Sequence, residues 1–585
     1  MKAGRGIFRT TVILSGLVLM AFCVVIIFLD YDRLVHWIVA VLQKPLIESL
    51  VRHKALPAGK YRFIQYLCGA GLLLVPLLVF LVLRKADKAH AAVSLVSNSL
   101  GSSGRAVTKI FYQNTAVQNG SVVLALVFIA IKSLYYIWAW DLQYDEMWCY
   151  NYFTARPFYF TPFAYNNYPL FELSTHIFKG LPLPMKVNLR LPVLVTGLLS
   201  CVLVYACLRR YCRSHLAALG GLLVYAFMPV TTLYMLYARG VIFESFFAIA
   251  GIFSLLFWLR TDRRNWLVIF FLANGLGMYA MPTHIYFWAL LCVLGAGTRL
   301  RTRKTIRPFI IANSLALVLS ILLYLPVMLG SGLSFVVEAV TPRYTYSQII
   351  PNIPAFIASY SSYFTGFKAG IVCMVVVTGV YLLTKKPTRD PVLLALIAIL
   401  CLFPLLAYVV QRMVVPYRAS GFVALALPLL FALTVQRGEK WVSARLLYPS
   451  ILLSAAILLV ASHRCHDLNW SRPRDREAMR LSYLFMNRDV RKLYDNSPNS
   501  GFFYFYPALE YYYGMEHRQL DFSVAATNSI RFKPFYPGDN YDCIIYPADA
   551  PVGPLPGQYK EVGADSVLKY KVLLREGRDL NNSPR

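Results

Sequence analysis

Residues 141–152 read DLQYDEMWCYNY and place three carboxylates, Asp141, Asp145 and Glu146, directly after the apolar run SVVLALVFIAIKSLYYIWAW. A carboxylate at the mouth of such a run can cap a helix end. It can also take the proton of an attacking hydroxyl, which is worth roughly 10²–10⁴-fold in rate. Asp141 follows the run immediately and suits the N-cap of a short following helix, Asp145 suits the base, and Glu146 stays open between orienting a substrate and facing water. A further carboxylate, Glu244, stands five residues after Arg239 in YARGVIFESFF, just inside an apolar run. A charge at the centre of a span costs roughly +2.5–3.5 kcal/mol, and less near the interface. A structural ion pair of Glu244 with Arg239 and a functional acid are the two readings. Lys132 lies in mid-run and can snorkel or serve a site. His284 opens another run and can donate to a phosphate, although a lone histidine there is more often structural. Glu172 and His176, spaced i, i+4 in FELSTHIF, offer two metal ligands or a hydrogen-bonded surface pair.

The elements that must position these groups are membrane helices. The chain has 585 residues, 58% of them hydrophobic, with a mean hydropathy of +0.54. Its apolar residues come in runs of roughly 17–25, the length that crosses a bilayer. Thirteen such helices are expected near 9–29, 64–84, 120–140, 191–208, 216–236, 241–259, 265–281, 283–298, 308–329, 369–384, 391–410, 416–435 and 446–462, with the pair around Met281-Pro282-Thr283 open to being one broken helix. The net charge of +30 could suggest nucleic acid. From residue 463 onward, however, 17 Lys+Arg face 15 Asp+Glu, so the excess belongs to the membrane part. There it gathers at span ends in RRYCR, RTDRR, RLRTRK and KKPTR, as the positive-inside rule requires of cytoplasmic loops. Topology explains the charge without nucleic acid.

Lys2, Arg5 and Arg9 put the N-terminus in the cytoplasm, and the first span reads as an anchor rather than a cleaved signal. An odd span count then puts the C-terminal region outside. Residues 30–63 form an outer loop with the amphipathic stretch LVHWIVAVLQKPLIESLV, suited to a membrane surface. The small, polar segment 85–119 reads as a flexible cytoplasmic loop. The organisation expected is an N-terminal extension of two spans and that linker (1–119), a catalytic membrane domain (120–462) with long outer loops at 141–190 and 330–368, and an extracytoplasmic domain (463–585). In the last, the strand-like runs GFFYFYP, YDCIIYP and VLKYKVLL alternate with a helical pattern near 474–495, giving a small α/β domain. A disulfide between Cys465 and Cys543 is open, and no CxxC or Cys/His metal spacing occurs.

Four motifs follow one another: Asp145-Glu146, Asn167-Tyr168-Pro169-Leu170, Arg190-Leu191-Pro192, and Ala238-Arg239-Gly240 before a helix; a basic-aromatic turn, PYRASGFVALALPLL at 416–430, comes later. Their order resembles the GT-C superfamily of integral-membrane glycosyltransferases, in the branch of the protein O-mannosyltransferases and the lipid A aminoarabinose transferase. The resemblance covers most of 120–460; Asn167 and Tyr168 stand where the family has His and Pro. It implies a polyprenyl-phosphate sugar donor and a lipid, glycan or protein acceptor at the outer face of a membrane, in the simplest setting the bacterial inner membrane facing the periplasm. On that footing Asp145 is the acceptor base with Glu146 beside it, and Glu244 matches a second outer-face acid. Arg239, then Arg418, and more weakly Arg190 and Lys132, would bind the departing phosphate, while Asn167, Tyr168 and His284 would meet acceptor or sugar. No metal site is assigned, and dependence on a divalent metal stays open. A transporter or lipid flippase is the main rival. It would line a midplane path with its charges, whereas these acids gather at one face. A partner-binding assembly protein and a polymerase or ligase of lipid-linked glycans are the others.

Overall fold

A computed structural model describes residues 2–42, 52, 58–84, 86–162, 168–331, 344–383, 391–412, 417–464, 466–495, 506–518, 520–524, 541–547, 559–565 and 570–575. Each of the thirteen apolar runs coincides with a helix. They are α1 (Lys2–Phe28), α3 (Ala58–Arg84), α5 (Ala116–Ala139), α8 (Met185–Cys212), the bent pair α9 (His215–Phe227) and α10 (Pro229–Leu236), α11 (Val241–Thr261), α12 (Arg264–Ala280), α13 (His284–Arg301), α14 (Arg307–Ser331), α16 (Gly370–Leu383), α17 (Pro391–Gln411), the 3₁₀ segment Tyr417–Leu425 leading into α18 (Ala426–Gly438), and α19 (Ala444–His463). Among the described residues nine helices are long and apolar enough to cross a membrane, or eleven if each of two bent pairs is one span. The chain is an integral membrane protein, mostly helical, with a small C-terminal sheet.

Two breaks have sequence causes. Met228 precedes Pro229 and takes an extended conformation (φ −61°, ψ 144°), which proline imposes on the residue before it, and the chain bends 62° between α9 and α10. Met281 precedes Pro282 in the same way (φ −157°, ψ 121°), so α12 ends and a new helix begins at His284. Elements the apolar runs did not announce are α2 (Tyr31–Leu42), α4 (Ala86–Gln113), α6 (Tyr144–Cys149), α7 (Pro169–Phe178) and α15 (Tyr346–Thr365). The reading of 85–119 as a flexible loop is corrected by α4, a helix of 28 residues. Its serines and glycines are outweighed by alanine, leucine and valine, and Ser99 and Ile110 are buried where it packs against α8 and α12.

The chain divides into two compact units, the first comprising 1–38, 51–137 and 158–468, and the second 39–50, 138–157 and 469–585. In the first, the most enclosed spans are α11, with 78% of its apolar window buried, and α8 and the span Ser420–Gly438, with 61% each; α1 and α3 have 11% each. The buried ones form the core that carries the site. Helices α11 and α13 run in the same direction. At their far ends Asp262, in left-handed conformation (φ 55°), pairs with Arg299 and, at 2.6 Å, with Lys304. These cations hold its carboxyl below the usual range, Lys304 contributing most. The clamp fixes the two helices relative to each other, and so fixes their opposite ends.

The second unit contains α6, α20 (His466–Asn487), α21 (Tyr506–Met515) and a five-stranded sheet of β1 (Lys492–Asp495), β2 (Asp521–Val524), β3 (Cys543–Pro547), β4 (Tyr559–Asp565) and β5 (Tyr570–Arg575), in the order β2-β1-β3-β5-β4. β1 is parallel to β2 and β3, and β5 is antiparallel to β3 and β4; Tyr494 pairs with Ile544, which pairs with Leu573. Asp542 starts β1 by accepting the backbone N–H groups of Arg491 and Lys492, both at 2.9 Å. YDCIIYP and VLKYKVLL are strands as expected, but Tyr506 and Pro507 of GFFYFYP open helix α21, while 501–505 lie outside the described residues. Cys543 is buried in β3, and Cys465 lies outside the described residues.

Candidate active site

In the first unit the motifs meet around the start of α11. Gly240 is its N-cap, and a Cβ there would stand 2.7 Å from Cβ of Tyr168. Only glycine lets the buried Tyr168 ring close over this turn. One turn on, Phe171 packs edge-on to Phe243, with centroids 6.2 Å apart. The Tyr-Pro-Leu motif and the Ala-Arg-Gly motif are thus two sides of one contact.

Glu244 follows in the first turn of α11, where the helix dipole favours a carboxylate. It is wholly buried. The 3₁₀ segment crosses it closely: a Cβ on Gly421 would meet Oε2 of Glu244 at 3.2 Å and Cγ1 of Val241 at 3.0 Å. Beside Gly421, Ser420 leaves helical geometry (φ −126°, ψ 30°) and is buried. His284, at the first position of α13, is also wholly buried, with Nδ1 3.8 Å from Oε1 of Glu244. That is beyond hydrogen-bond length. The imidazole lies flat against Gly277 of α12, where any Cβ would collide with the ring. Tyr360 of α15 completes the group, fully buried and within electrostatic reach of the Glu244 carboxylate.

Neither carboxylate oxygen of Glu244 and neither ring nitrogen of His284 has a hydrogen-bond partner among the described residues, while the hydroxyls of Tyr360 and Ser420 face each other beside them. Buried polar groups are nearly always paired, so two unused ones side by side make this the candidate site. The structural ion pair between Glu244 and Arg239 is not formed. Aromatic rings wall the group. Tyr417 meets Tyr360 edge-on and Tyr363 at a tilt, 5.1 Å from each, and shares a 2.7 Å hydrogen bond with Ser359. Phe422 lies 5.2 Å from Phe287, and the hydroxyls of Tyr234 and Tyr363 are 2.6 Å apart.

The cations are distributed differently from one another. Arg239 and Arg418 are half-buried, each within one of the converging motifs. Arg190 is wholly buried and donates from Nη1 to the carbonyl of Ile137 at 3.2 Å, closing the end of α5. Lys132 holds its ammonium over the ring of Phe227, 5.1 Å from the centroid.

The acidic opening of the outer loop belongs to the second unit. The N-cap of α6 is Gln143, not Asp141, and Oε2 of Glu146 accepts the backbone N–H of Gln143 at 2.8 Å. That reciprocal cap gives the buried Glu146 a structural task. Asp145, next to it in the same turn, is half-buried. The loop is held by α21: Asn151 donates to the carbonyl of Pro507 at 2.9 Å, and Tyr150 meets Tyr511 edge-on at 5.2 Å. Tyr511, in the tyrosine-rich stretch 502–514, thus supports this loop.

Of the remaining candidates, Asn167 lies outside the described residues. His176 shares a 2.9 Å hydrogen bond with the Thr161 hydroxyl, and burial, with a smaller contribution from Lys179, pushes its pKa down to about 4. Among the described residues no group of three or more side chains is placed to hold a metal ion. Tyr360, Ser420, Gly421 and Gly277 were not foreseen; the last two are only legible as glycines once their neighbours are known.

No family model matches the chain, and no curated protein matches it by sequence. Among solved structures it is similar to ArnT from Cupriavidus metallidurans bound to undecaprenyl phosphate, with a TM-score of 0.55 at 14% identity, over 78% of this chain and 98% of that one. The chain has the ArnT fold. ArnT in the apo state aligns over the same shares with a TM-score of 0.42. The ArnT fold is the fold that the motif order led us to expect.

Proposed function

We propose that the protein is a membrane glycosyltransferase that moves a monosaccharide from a polyprenyl-phosphate donor to a lipid, glycan or protein acceptor at the outer face of a bacterial inner membrane, with inversion. The observation that carries this reading is the ArnT fold over nearly the whole length of an ArnT chain seen with undecaprenyl phosphate. The unpaired Glu244 and His284, with Tyr360 and Ser420 beside them and aromatic walls around, support it, because a sugar presents hydroxyl groups that such a set can pair and a ring face that aromatics can cover.

In the reaction proposed, an acceptor hydroxyl attacks the anomeric carbon while Asp145 takes its proton. The bond from that carbon to the phosphate oxygen breaks through an oxocarbenium-like transition state, and its electron pair leaves with the polyprenyl phosphate. Arg239 and Arg418 stabilise the charge on that oxygen. Arg190 and Lys132 contribute less, since each already serves a neighbour, the Ile137 carbonyl and the Phe227 ring. Glu244 and His284 hold the sugar rather than shuttle the acceptor proton, given their complete burial. Tyr168 shapes the same turn from the other side.

The test is sugar transfer by purified Asp145→Asn in membranes, with mass spectrometry of envelope glycolipids and glycoproteins, with and without the protein, to name the sugar and acceptor. Asp145→Asn is expected to insert and fold normally and to lose transfer; full activity would remove Asp145 from the role of base. Arg239→Ala is expected to raise KM for the donor, lower kcat, or both, and unchanged kinetics would remove it from the phosphate site.

A further inference from the structure

A groove of about 540 Å³ lies between the end of α15 and the last turns of α19, remote in sequence from every motif used above. Its walls include Phe367, Ile457 and Val460, its floor is Gly366, and Arg464 stands at its mouth. The floor is a built feature. Gly366 has φ +80°, and a Cβ there would come within 2.6 Å of Cβ of Ala461, so only glycine permits this approach of the two helices. The turn that follows is tied down by Ser361, which donates to the carbonyl of Phe367 at 2.9 Å and accepts the N–H of Ile371 at 2.8 Å. The chain then turns by 87° into α16.

We infer that this groove binds one chain of an anionic phospholipid, with its phosphate on Arg464. α19 is membrane-crossing by length and composition, and α15 passes that test only together with α16 as a bent pair, so the recess lies along a span, and its aliphatic and phenyl walls suit an acyl chain. Its volume falls within the roughly 300–1,000 Å³ of sites that enclose small ligands. Arg464 is the C-cap of α19, exposed at the end of the span, the depth at which a guanidinium meets lipid phosphate. The bound lipid would rest on the end of α15, whose Tyr360 and Tyr363 wall the Glu244 group. The inference does not depend on the proposed sugar transfer.

The experiment is native mass spectrometry of the full-length protein in detergent, offered an equimolar mixture of phosphatidylglycerol and phosphatidylcholine with identical chains. Wild type is expected to retain phosphatidylglycerol about five-fold over phosphatidylcholine, the worth of one basic residue against an anionic lipid. Arg464→Gln, a change at an exposed position that leaves the helices intact, should equalise the two lipids. Ala456→Trp, which fills the groove from an exposed site on α19, should reduce retention of both. An unchanged preference in Arg464→Gln, or undiminished binding in Ala456→Trp, overturns the inference. So does one-for-one displacement of phosphatidylglycerol by undecaprenyl phosphate, which would give the groove to the donor.

Discussion

Gly277→Ala should be tolerated or harmful according to whether His284 is present. In wild type the new methyl would collide with the imidazole, which is wholly buried. Overpacking of this kind costs about 1–3 kcal/mol, while replacing glycine by alanine in a helix returns at most about 1 kcal/mol. The net expectation is a loss of about 0–2 kcal/mol, and a His284 ring pushed away from its 3.8 Å approach to Glu244. In a His284→Ala background the obstacle is gone. The same substitution should then be neutral or stabilising by up to about 1 kcal/mol, a coupling of about 1–3 kcal/mol between the two positions. Thermal unfolding of the two single variants and the double variant in detergent measures it. Equal destabilisation by Gly277→Ala with and without the imidazole would show that the ring does not occupy the space above this glycine.

Three further outcomes are expected. Glu146→Ala removes the acceptor for the Gln143 N–H and should loosen the 138–157 loop by about 1–2 kcal/mol; limited proteolysis should cut there sooner, and an unchanged cleavage pattern would count against the cap. His176, with its folded pKa depressed to about 4, is neutral in the folded protein, and the unfolded chain takes up a proton first. Its contribution to stability is therefore whole above about pH 6.5 and drains as pH falls toward about 4. His176→Asn should show a shallower loss of Tm across that window, and parallel curves would refute it. A cysteine at Ser347 should react with an impermeant reagent from outside and one at Thr302 should not; the reverse labelling would invert the expected topology.

The membrane part was legible because hydrophobic runs have to be bilayer-long, and each of the thirteen has its helix. The segment 85–119 was misread because serine and glycine suggest a linker, whereas a helix is decided by what its apolar face finds, here α8 and α12 around Ser99 and Ile110. Asp141 looked like a cap from adjacency alone; capping depends on which side chain folds back on which N–H, and that was Glu146 onto Gln143. Glu244 was conspicuous in sequence by its cost, but its isolation was not. Whether Arg239 or His284 stood beside it is a matter of packing across helices. The same holds for Tyr360 and Ser420, common residues whose significance comes only from lying beside Glu244 in the fold.

The acidic loop 138–157 is folded as part of the C-terminal unit, held by Asn151 and Tyr150 on α21, although more than 300 residues of sequence separate them. It follows that the C-terminal domain is no detachable appendage. A truncation after α19 would keep every span and yet strip Asp145 of its scaffold. A chimera that exchanges this domain with a relative's would have to carry 138–157 along with it. Variation in the two segments should accordingly be inherited as a pair, and a library that diversifies one without the other would sample mostly broken loops.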